Sequence, residues 1–278
     1  MKKLNQTMDM VHGPLLKNIF IFSLPLMMSN LLEIAFNSAD TIVVGKFSGQ
    51  EALAAVGATG PIVNFMVSLF TGLAVGSNIV IARQLGSGQK ERISASVHTS
   101  YFVALTGGLI LMVFGVFGSI YLLNAMGTPS NIIDRSALYL QIYFVGSIPL
   151  LVYNFGSAVL RSRGDTIHPT VYLAVGGILN VFLNLYFVIV LQMSVAGVAI
   201  ATVISESVSA VLVTIQLMNE KDSLHLDLRK IRMDRPLAAS ILKIGLPAGL
   251  QSMMWSISNL VVQSGINSFG STAVGGNG

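Results

Sequence analysis

Long apolar segments alternate with short charged segments along the whole chain. A helix that crosses a membrane needs about 20 consecutive, mostly apolar residues, a length well beyond that of a buried strand. The pattern predicts seven membrane-spanning helices, with approximate bounds 16–44, 54–82, 96–122, 134–160, 169–190, 194–217 and 241–268. Several of these segments are longer than the bilayer requires, so we expect them to tilt or to extend beyond the lipid.

The composition agrees with a membrane location. Of 278 residues, 53% are hydrophobic and only 10% are charged, against about 25% charged residues in soluble domains. The absence of cysteine excludes disulfides, thiolate zinc sites and cysteine nucleophiles. The sequence shows no zinc-binding motif, phosphate-binding glycine loop or Ser-His-Asp arrangement, so we expect neither an enzyme nor a cofactor. The fold class predicted is therefore an all-α polytopic membrane protein, with the lipid bilayer as its first partner.

Lysine and arginine are distributed unevenly between the two sides of the predicted helices. If the N-terminus, with Lys2 and Lys3, lies in the cytoplasm, only Lys46 and Arg135 fall on the outer side and every other basic residue falls on the inner side. This is the positive-inside pattern of a multi-pass protein of the cell membrane. It explains the basic pI without nucleic acid, which we do not expect as a partner.

A highly charged segment, 218–240, follows the sixth predicted helix. We interpret it as a cytoplasmic linker between an N-terminal six-helix lobe, 1–217, and the first helix of a second lobe, 241–278. Two six-helix units joined on the cytoplasmic side have parallel orientation, because an even number of spans returns the chain to its starting side.

The beginning of the seventh predicted helix resembles the beginning of the first. Pro25 recurs as Pro247, each after a leucine, and Asn37 aligns with Asn259. Ordered matches of this kind indicate an internal repeat. Since the chain ends where the next helix of the second unit is due, we expect the second lobe to be present only in part. An inactive, truncated membrane fragment is the alternative.

Three carboxylates lie within predicted spans. Burying an ionisable group in lipid costs at least about 2.5–3.5 kcal/mol, so each requires an explanation. Glu33, Asn37 and Asp40 share one face of the first helix. A packing seam can be built from Asn, Ser and Thr alone, so two acids favour proton exchange or cation binding. For Glu206 on the sixth helix, a local hydrogen-bonded or snorkelling role and a functional role both stay open.

Neutral oxygen-bearing side chains lie at a similar depth on two other helices. Asn180 and Asn184 are one turn apart on the fifth helix, and Thr202 is on the sixth. Like Asp40, they lie about 10–16 Å from the outer ends of their helices. Together the four can bind Na⁺ transiently or tune a protonatable Asp40. Similar depth alone does not show that the four side chains meet in the folded protein.

Glycine and proline add two expectations about packing. Gly72 and Gly76 have the spacing that lets two membrane helices approach closely. Pro25 and Pro149 can bend the first and fourth helices.

Several segments, in order, resemble the multidrug and toxic compound extrusion (MATE) family over essentially the whole chain. They are Leu24-Pro25, Asn37-Ser38-Ala39-Asp40-Thr41-Ile42-Val43-Val44-Gly45, Ala82-Arg83-Gln84-Leu85-Gly86, Leu160-Arg161-Ser162-Arg163-Gly164-Asp165-Thr166 and Val195-Ala196-Gly197-Val198-Ala199-Ile200-Ala201-Thr202. The resemblance implies twelve helices in two lobes around a central cleft, and export of organic cations and amphiphilic drugs in exchange for H⁺ or Na⁺.

The resemblance also implies roles for individual residues. Asp40 corresponds to the coupling carboxylate, with Asn180, Asn184 and Thr202 around it and Tyr139 as a further candidate. Asn184 departs from the family pattern, in which many members carry an acid. One carboxylate with neutral oxygens attracts a cation less strongly than two, so proton coupling is favoured over Na⁺ coupling.

A lipid-linked oligosaccharide flippase of the same superfamily is a second interpretation. An anionic lipid substrate calls for several basic residues inside the cleft, and no Lys or Arg lies centrally in a predicted span. This disfavours the flippase.

Overall fold

The computed structural model describes residues 15–277, which are mostly helical and contain no β-strand. In chain order the helices are α1 (Leu15–Phe47), α2 (Gln50–Gly57), α3 (Gly60–Gly86), α4 (Lys90–Ala125), α5 (Ile133–Val145), α6 (Ser147–Ser162), α7 (Ile167–Leu185), α8 (Ser194–Asn219), α9 (Arg235–Asn267) and α10 (Ser271–Asn277). A π-helical turn, Tyr186–Val190, extends α7, and a 3₁₀ turn, Leu228–Lys230, lies between α8 and α9. Lys2 and Lys3, which we assigned to the inner side, lie outside the described residues.

The predicted number of spans agrees with the structure. Six helical segments of the described chain are long and apolar enough to cross a membrane, and counting α5 and α6, which are bent by 48°, as one span gives seven. Pro149 explains the bend, because it has no N–H to donate to the carbonyl of Val145 four residues earlier. By contrast, α1 remains one helix across Pro25. The prediction of an all-α polytopic membrane protein is confirmed.

The first six spans pack into one bundle, and the described residues form four apolar clusters, two of which lie at opposite ends of α8. Helix α6 lies against α3, α4 and α8, and α7 lies between α1 and α8. One cluster, called the outer core after the predicted orientation, forms where α1 ends and α8 begins, around Val44, Ala55 and Val198. The other, called the inner core, forms where α4 begins and α8 ends, around Tyr101 and Leu217. Between the two cores, α1, α7 and α8 enclose polar side chains.

The internal repeat is visible in the backbone. Helices α1 and α9 are both 33 residues long and contain Pro25 and Pro247, respectively. Each is followed by a glycine with φ +88°, Gly49 or Gly270, and then by a short helix, α2 or α10. This positive φ favours glycine, because a side chain would strain the turn. Helix α10 packs on α2 and buries Val274 in the outer core.

Helix α9 packs along α3 through glycines on both helices. Gly72 and Gly76 of α3 face Gly245 and Gly249 of α9, so that the two backbones touch. A Cβ atom added at Gly76 would lie 2.5 Å from the carbonyl oxygen of Ile241 and 2.7 Å from the Gly245 nitrogen. The close approach expected from the glycine spacing is therefore found, and its partner is the repeated helix.

The predicted linker, 218–240, is shorter in the structure. Helix α8 continues to Asn219 and α9 already begins at Arg235. Asp234 sets this start, since its carboxylate accepts a hydrogen bond from the backbone N–H of Leu237 at 3.1 Å. Within the remaining segment, Leu224 and Leu226 are fully buried in the inner core. The linker is thus docked on the bundle.

An ion pair fastens the linker to the α6–α7 turn. Arg163 donates two hydrogen bonds to the carboxylate of Glu220, of 2.6 and 2.5 Å, and Gln216 donates a third at 2.7 Å. These bonds lower the pKa of the Glu220 carboxyl below its ordinary value. Asp222 is only 3.6 Å from Arg163 but its side chain is 56% exposed. Of these two linker acids, Glu220 is therefore the stronger partner of Arg163.

The glycine contact predicts that Gly76→Ala destabilises the protein. The added methyl group has no space against the α9 backbone, and overpacking of this kind costs about 1–3 kcal/mol. The midpoint of thermal unfolding in detergent, followed by the fluorescence of Trp255, should fall. As a control, Gly118→Ala places the same methyl group where no atom lies within 4 Å, and it should leave the midpoint unchanged or slightly higher. Equal shifts in the two variants would contradict the contact.

The ion pair predicts a pH-dependent effect of Glu220→Gln. A carboxyl whose pKa is lowered by folding stabilises the protein above its unfolded pKa, and this contribution is lost as the pH falls through the folded pKa. The variant should therefore unfold at a lower temperature at pH 7, and the difference should shrink below the ordinary value of 4.5. Asp222→Asn, the exposed control, should change stability by less than about 0.5 kcal/mol. A difference independent of pH would contradict the interpretation.

Candidate functional site

A polar cavity of about 580 Å³ opens between α1, α3, α5, α6, α7 and α8. Its wall carries the acids Glu33, Asp40 and Glu206. Asn180 and Thr202 also line it, together with several tyrosines. A hydrated cavity is the setting in which ionisable groups at membrane depth are tolerated.

The structure brings the four predicted site residues together. Asn184 of α7 donates hydrogen bonds from its Nδ2 to Asp40 Oδ1 of α1 and, at 3.0 Å, to Asn180 Oδ1. Asn180 in turn donates to the hydroxyl of Thr202 on α8 at 3.3 Å. Asp40, Asn180 and Asn184 are 8%, 5% and 0% exposed, so this network is nearly closed to solvent.

Two glycines of α7 make this convergence possible. A Cβ at Gly177 would overlap the ring of Phe36 on α1, and one at Gly176 would lie 3.0 Å from the carbonyl oxygen of Ser205 on α8. Both neighbours therefore approach α7 directly. Asn180 lies one turn after Gly176 on the same face of α7, where side chains from α1 and α8 reach it. The pair of glycines before Asn180 is the sequence signal for this contact.

The network contains oxygen atoms suited to a proton or a small cation. Thr202 donates its own hydroxyl proton to the carbonyl of Val198 at 3.0 Å, so it acts as an acceptor toward Asn180. Asn184 Oδ1 is buried and has no hydrogen-bond partner in the part of the chain that the structure describes. Asp40 and Asn184 thus present a carboxylate and an unpaired amide oxygen side by side, which are hard ligands of the type that Na⁺ accepts.

The supporting candidates line the same cavity but do not join this network. Glu33 and Asn37 are exposed to the cavity, and neither side chain hydrogen-bonds to Asp40 within residues 15–277. Tyr139 is 8% exposed and stacks on Tyr143, with ring centroids 6.2 Å apart. The functional roles of all these residues stay predictions.

Other cavity residues were not expected from the sequence. Arg161 was expected in an inner segment after the fourth span, whereas it lies in the last turn of α6 and lines the cavity. Tyr143, Tyr153 and Asn154 line it as well. Glu206, for which two roles were open, also faces the cavity, and its Oε2 has no hydrogen-bond partner among the described residues. The sequence signal that Glu206 faces the cavity was its position one helical turn after Thr202.

Comparisons with known proteins agree on one family. A model of the MatE family matches residues 25–186 of the chain. The chain is 32% identical over 270 residues to the probable multidrug resistance protein YpnP of Bacillus subtilis, covering 96% of the chain and 60% of that protein. It is 22% identical to the multidrug export protein MepA of Staphylococcus saprophyticus, with 93% and 57% covered. The chain thus spans about 60% of the length of these curated relatives.

Solved structures give the same result. The inward-facing conformation of a multidrug resistance MATE family transporter superposes with a TM-score of 0.82 at 27% identity, covering 93% of this chain and 59% of the other. A MATE protein in a bent conformation gives a TM-score of 0.82 at 28% identity, covering 89% and 55%.

Proposed function

The chain belongs to the MATE family of transporters, and we propose that it exports organic cations and other amphiphilic drugs in exchange for H⁺ or Na⁺. The observation that carries the proposal is the buried Asp40–Asn184–Asn180–Thr202 network at the wall of a polar cavity. The relatives named as multidrug resistance and export proteins support it.

Asp40 is the proposed coupling carboxylate. Binding of a proton or a cation neutralises it and changes its hydrogen bonds, because a protonated carboxyl gains a donor. The unpaired Oδ1 of Asn184 is an acceptor at the same place. We propose that this rearrangement favours the arrangement of helices that releases the drug outward, whereas a cationic drug favours the ionised site.

We propose H⁺ before Na⁺ as the coupling ion. The network contains a single carboxylate, and its other members are neutral amides and a hydroxyl. Fewer charged ligands mean weaker attraction for a metal cation, whereas one carboxyl group is sufficient to carry a proton.

The charge of the cavity favours cationic drugs over an anionic lipid. Glu33, Asp40 and Glu206 line it against the single arginine, Arg161, among the described lining residues. A flippase for an anionic lipid requires the opposite balance.

The proposal includes the orientation of the chain in the membrane and a second lobe. The positive-inside pattern supports a cytoplasmic N-terminus in the cell membrane. The repeat formed by α9 and α10 supports a second lobe, and transport requires both lobes around the cleft.

Asp40→Asn should abolish drug export without loss of expression. The variant keeps the size of the side chain but removes the group that binds H⁺ or Na⁺. Efflux of a fluorescent cation from vesicles containing the transporter, driven by an imposed pH or Na⁺ gradient, measures the effect and identifies the ion. Glu51→Gln is the control, since Glu51 pairs with Arg135 on an exposed surface. Unchanged gradient-driven efflux by Asp40→Asn would refute the role of Asp40.

Asn184→Asp should increase the affinity for Na⁺. The substitution places a second carboxylate beside Asp40, and the added charge should raise the affinity about tenfold or more. The shift of the thermal unfolding midpoint with NaCl, compared with choline chloride, gives the affinity. Asn154→Asp adds the same charge elsewhere in the cavity and is the control, because Asn154 donates only to the carbonyl of Leu150. The same gain in both variants would show that the network has no special role.

A further inference from the structure

Two of the cavity acids differ in their hydrogen bonding. Asp40 already accepts a hydrogen bond from Asn184 inside a closed network. Glu206 lines the cavity, and its Oε2 has no partner among the described residues. A buried carboxylate oxygen without a partner is costly, so such a group calls for a ligand.

The neighbours of Glu206 on α8 do not supply a partner. Ser205 donates its hydroxyl to the carbonyl of Ala201 at 2.7 Å, and Ser207 donates to that of Val203 at 2.6 Å. Glu206 lies four residues after Thr202, which puts it on the same helix face and about 6 Å farther along the axis. It is therefore next to the Asp40 network but outside it.

Two aromatic rings line the same cavity as Glu206. Tyr139 and Tyr143 of α5 stack at 21° between ring planes and line the cavity. Both are within electrostatic reach of Glu206. Neither hydroxyl has a hydrogen-bond partner in the described part of the chain. A cavity that contains both an acid and aromatic rings can recognise ammonium groups, through charge and through cation–π attraction.

We propose that Glu206, with Tyr139 and Tyr143, binds the cationic group of the transported substrate, at a site separate from the coupling carboxylate Asp40. The proposal rests on the proposed function, in which this cavity holds the substrate. Charged and titratable groups from three other helices line the cavity with Glu206: Glu33 and Asp40 of α1, Tyr139 and Tyr143 of α5, and Arg161 and Tyr153 of α6. From α7 the facing polar group is the neutral amide of Asn180.

Separate sites for the ion at Asp40 and the substrate at Glu206 imply a different mechanism for their exchange. Glu206 is within electrostatic reach of Asp40 and Glu33. A cation at Glu206 then disfavours a second positive charge at Asp40, and the effect is reciprocal. Substrate and ion exclude one another by repulsion between neighbouring sites, and they need not compete for one carboxylate.

Glu206→Gln tests the site, because it removes the charge and keeps the size of the side chain. The probe is tetraphenylphosphonium, and its binding to the purified native transporter is measured by calorimetry at one pH. The dissociation constant should rise about tenfold or more. Tetraphenylborate, an anion of similar shape, should not bind more weakly. Absence of saturable phosphonium binding to the unaltered protein, or equal affinity in Glu206→Gln, overturns the proposal.

Two comparisons separate a defined site from general charge in the cavity. Glu33→Gln removes an acid that lies within electrostatic reach of Arg161, and it should weaken binding several-fold less than Glu206→Gln. Tyr143→Leu should weaken binding, whereas Tyr143→Phe should retain it, since the ring and not the hydroxyl meets the cation. Equal losses in Glu33→Gln and Glu206→Gln, or in the two Tyr143 variants, count against the site.

The outcome is distinguishable from a failure of the proposed function. If ion coupling is wrong, Asp40→Asn retains gradient-driven efflux while Glu206→Gln still loses phosphonium affinity. If only the present proposal is wrong, Asp40→Asn loses efflux while Glu206→Gln binds the probe as before.

Discussion

Lipid offers no hydrogen bonds, so an acid placed at membrane depth must find its partners within the protein. Asp40 finds its partner in Asn184, and this contact requires α1 to lie directly on α7. The flat surface at Gly177 permits that approach. Asn184 also hydrogen-bonds to Asn180, and Asn180 hydrogen-bonds to Thr202. The need of Asp40 for a hydrogen-bond partner therefore links α1, α7 and α8 around the polar cavity.

The same cavity separates two kinds of acid. At Asp40 the protein supplies a hydrogen-bond donor, the amide of Asn184, which stabilises the ionised carboxylate. At Glu206 the Oε2 atom has no hydrogen-bond partner among the described residues, and Tyr139 and Tyr143 line the same cavity. In our proposal this acid binds the cationic group of the substrate. In our proposal, the short distance along α8 between Thr202 and Glu206 links the binding of ion and substrate in one equilibrium.

The sequence predicted the fold better than the contacts within the site. Span number, the repeat and the glycine spacing all follow from local patterns, and all are present in the structure. Asp40 and its partners were recognisable by depth, but their convergence depends on Phe36 meeting Gly177, a long-range contact that no periodicity reveals. Arg161 was assigned to a loop because a charged last turn and a loop have the same composition. The start of α9 was likewise placed too late, because its first turn, capped by Asp234, lies inside the charged segment that we interpreted as linker.

The repeat of α1 in α9 extends beyond shape to an informative difference. With the prolines and asparagines aligned as above, Glu33 of the first copy corresponds to Trp255 of the second, and Asp40 corresponds to Val262. Trp255 is 75% exposed and Val262 is 60% exposed, so neither side chain is buried in the contact between α9 and α3. The duplicated helix has kept its backbone and its turn but carries no acid at either place. Two helices of the same form therefore differ in charge, because the first carries an acid at both positions and the second carries an uncharged side chain at both.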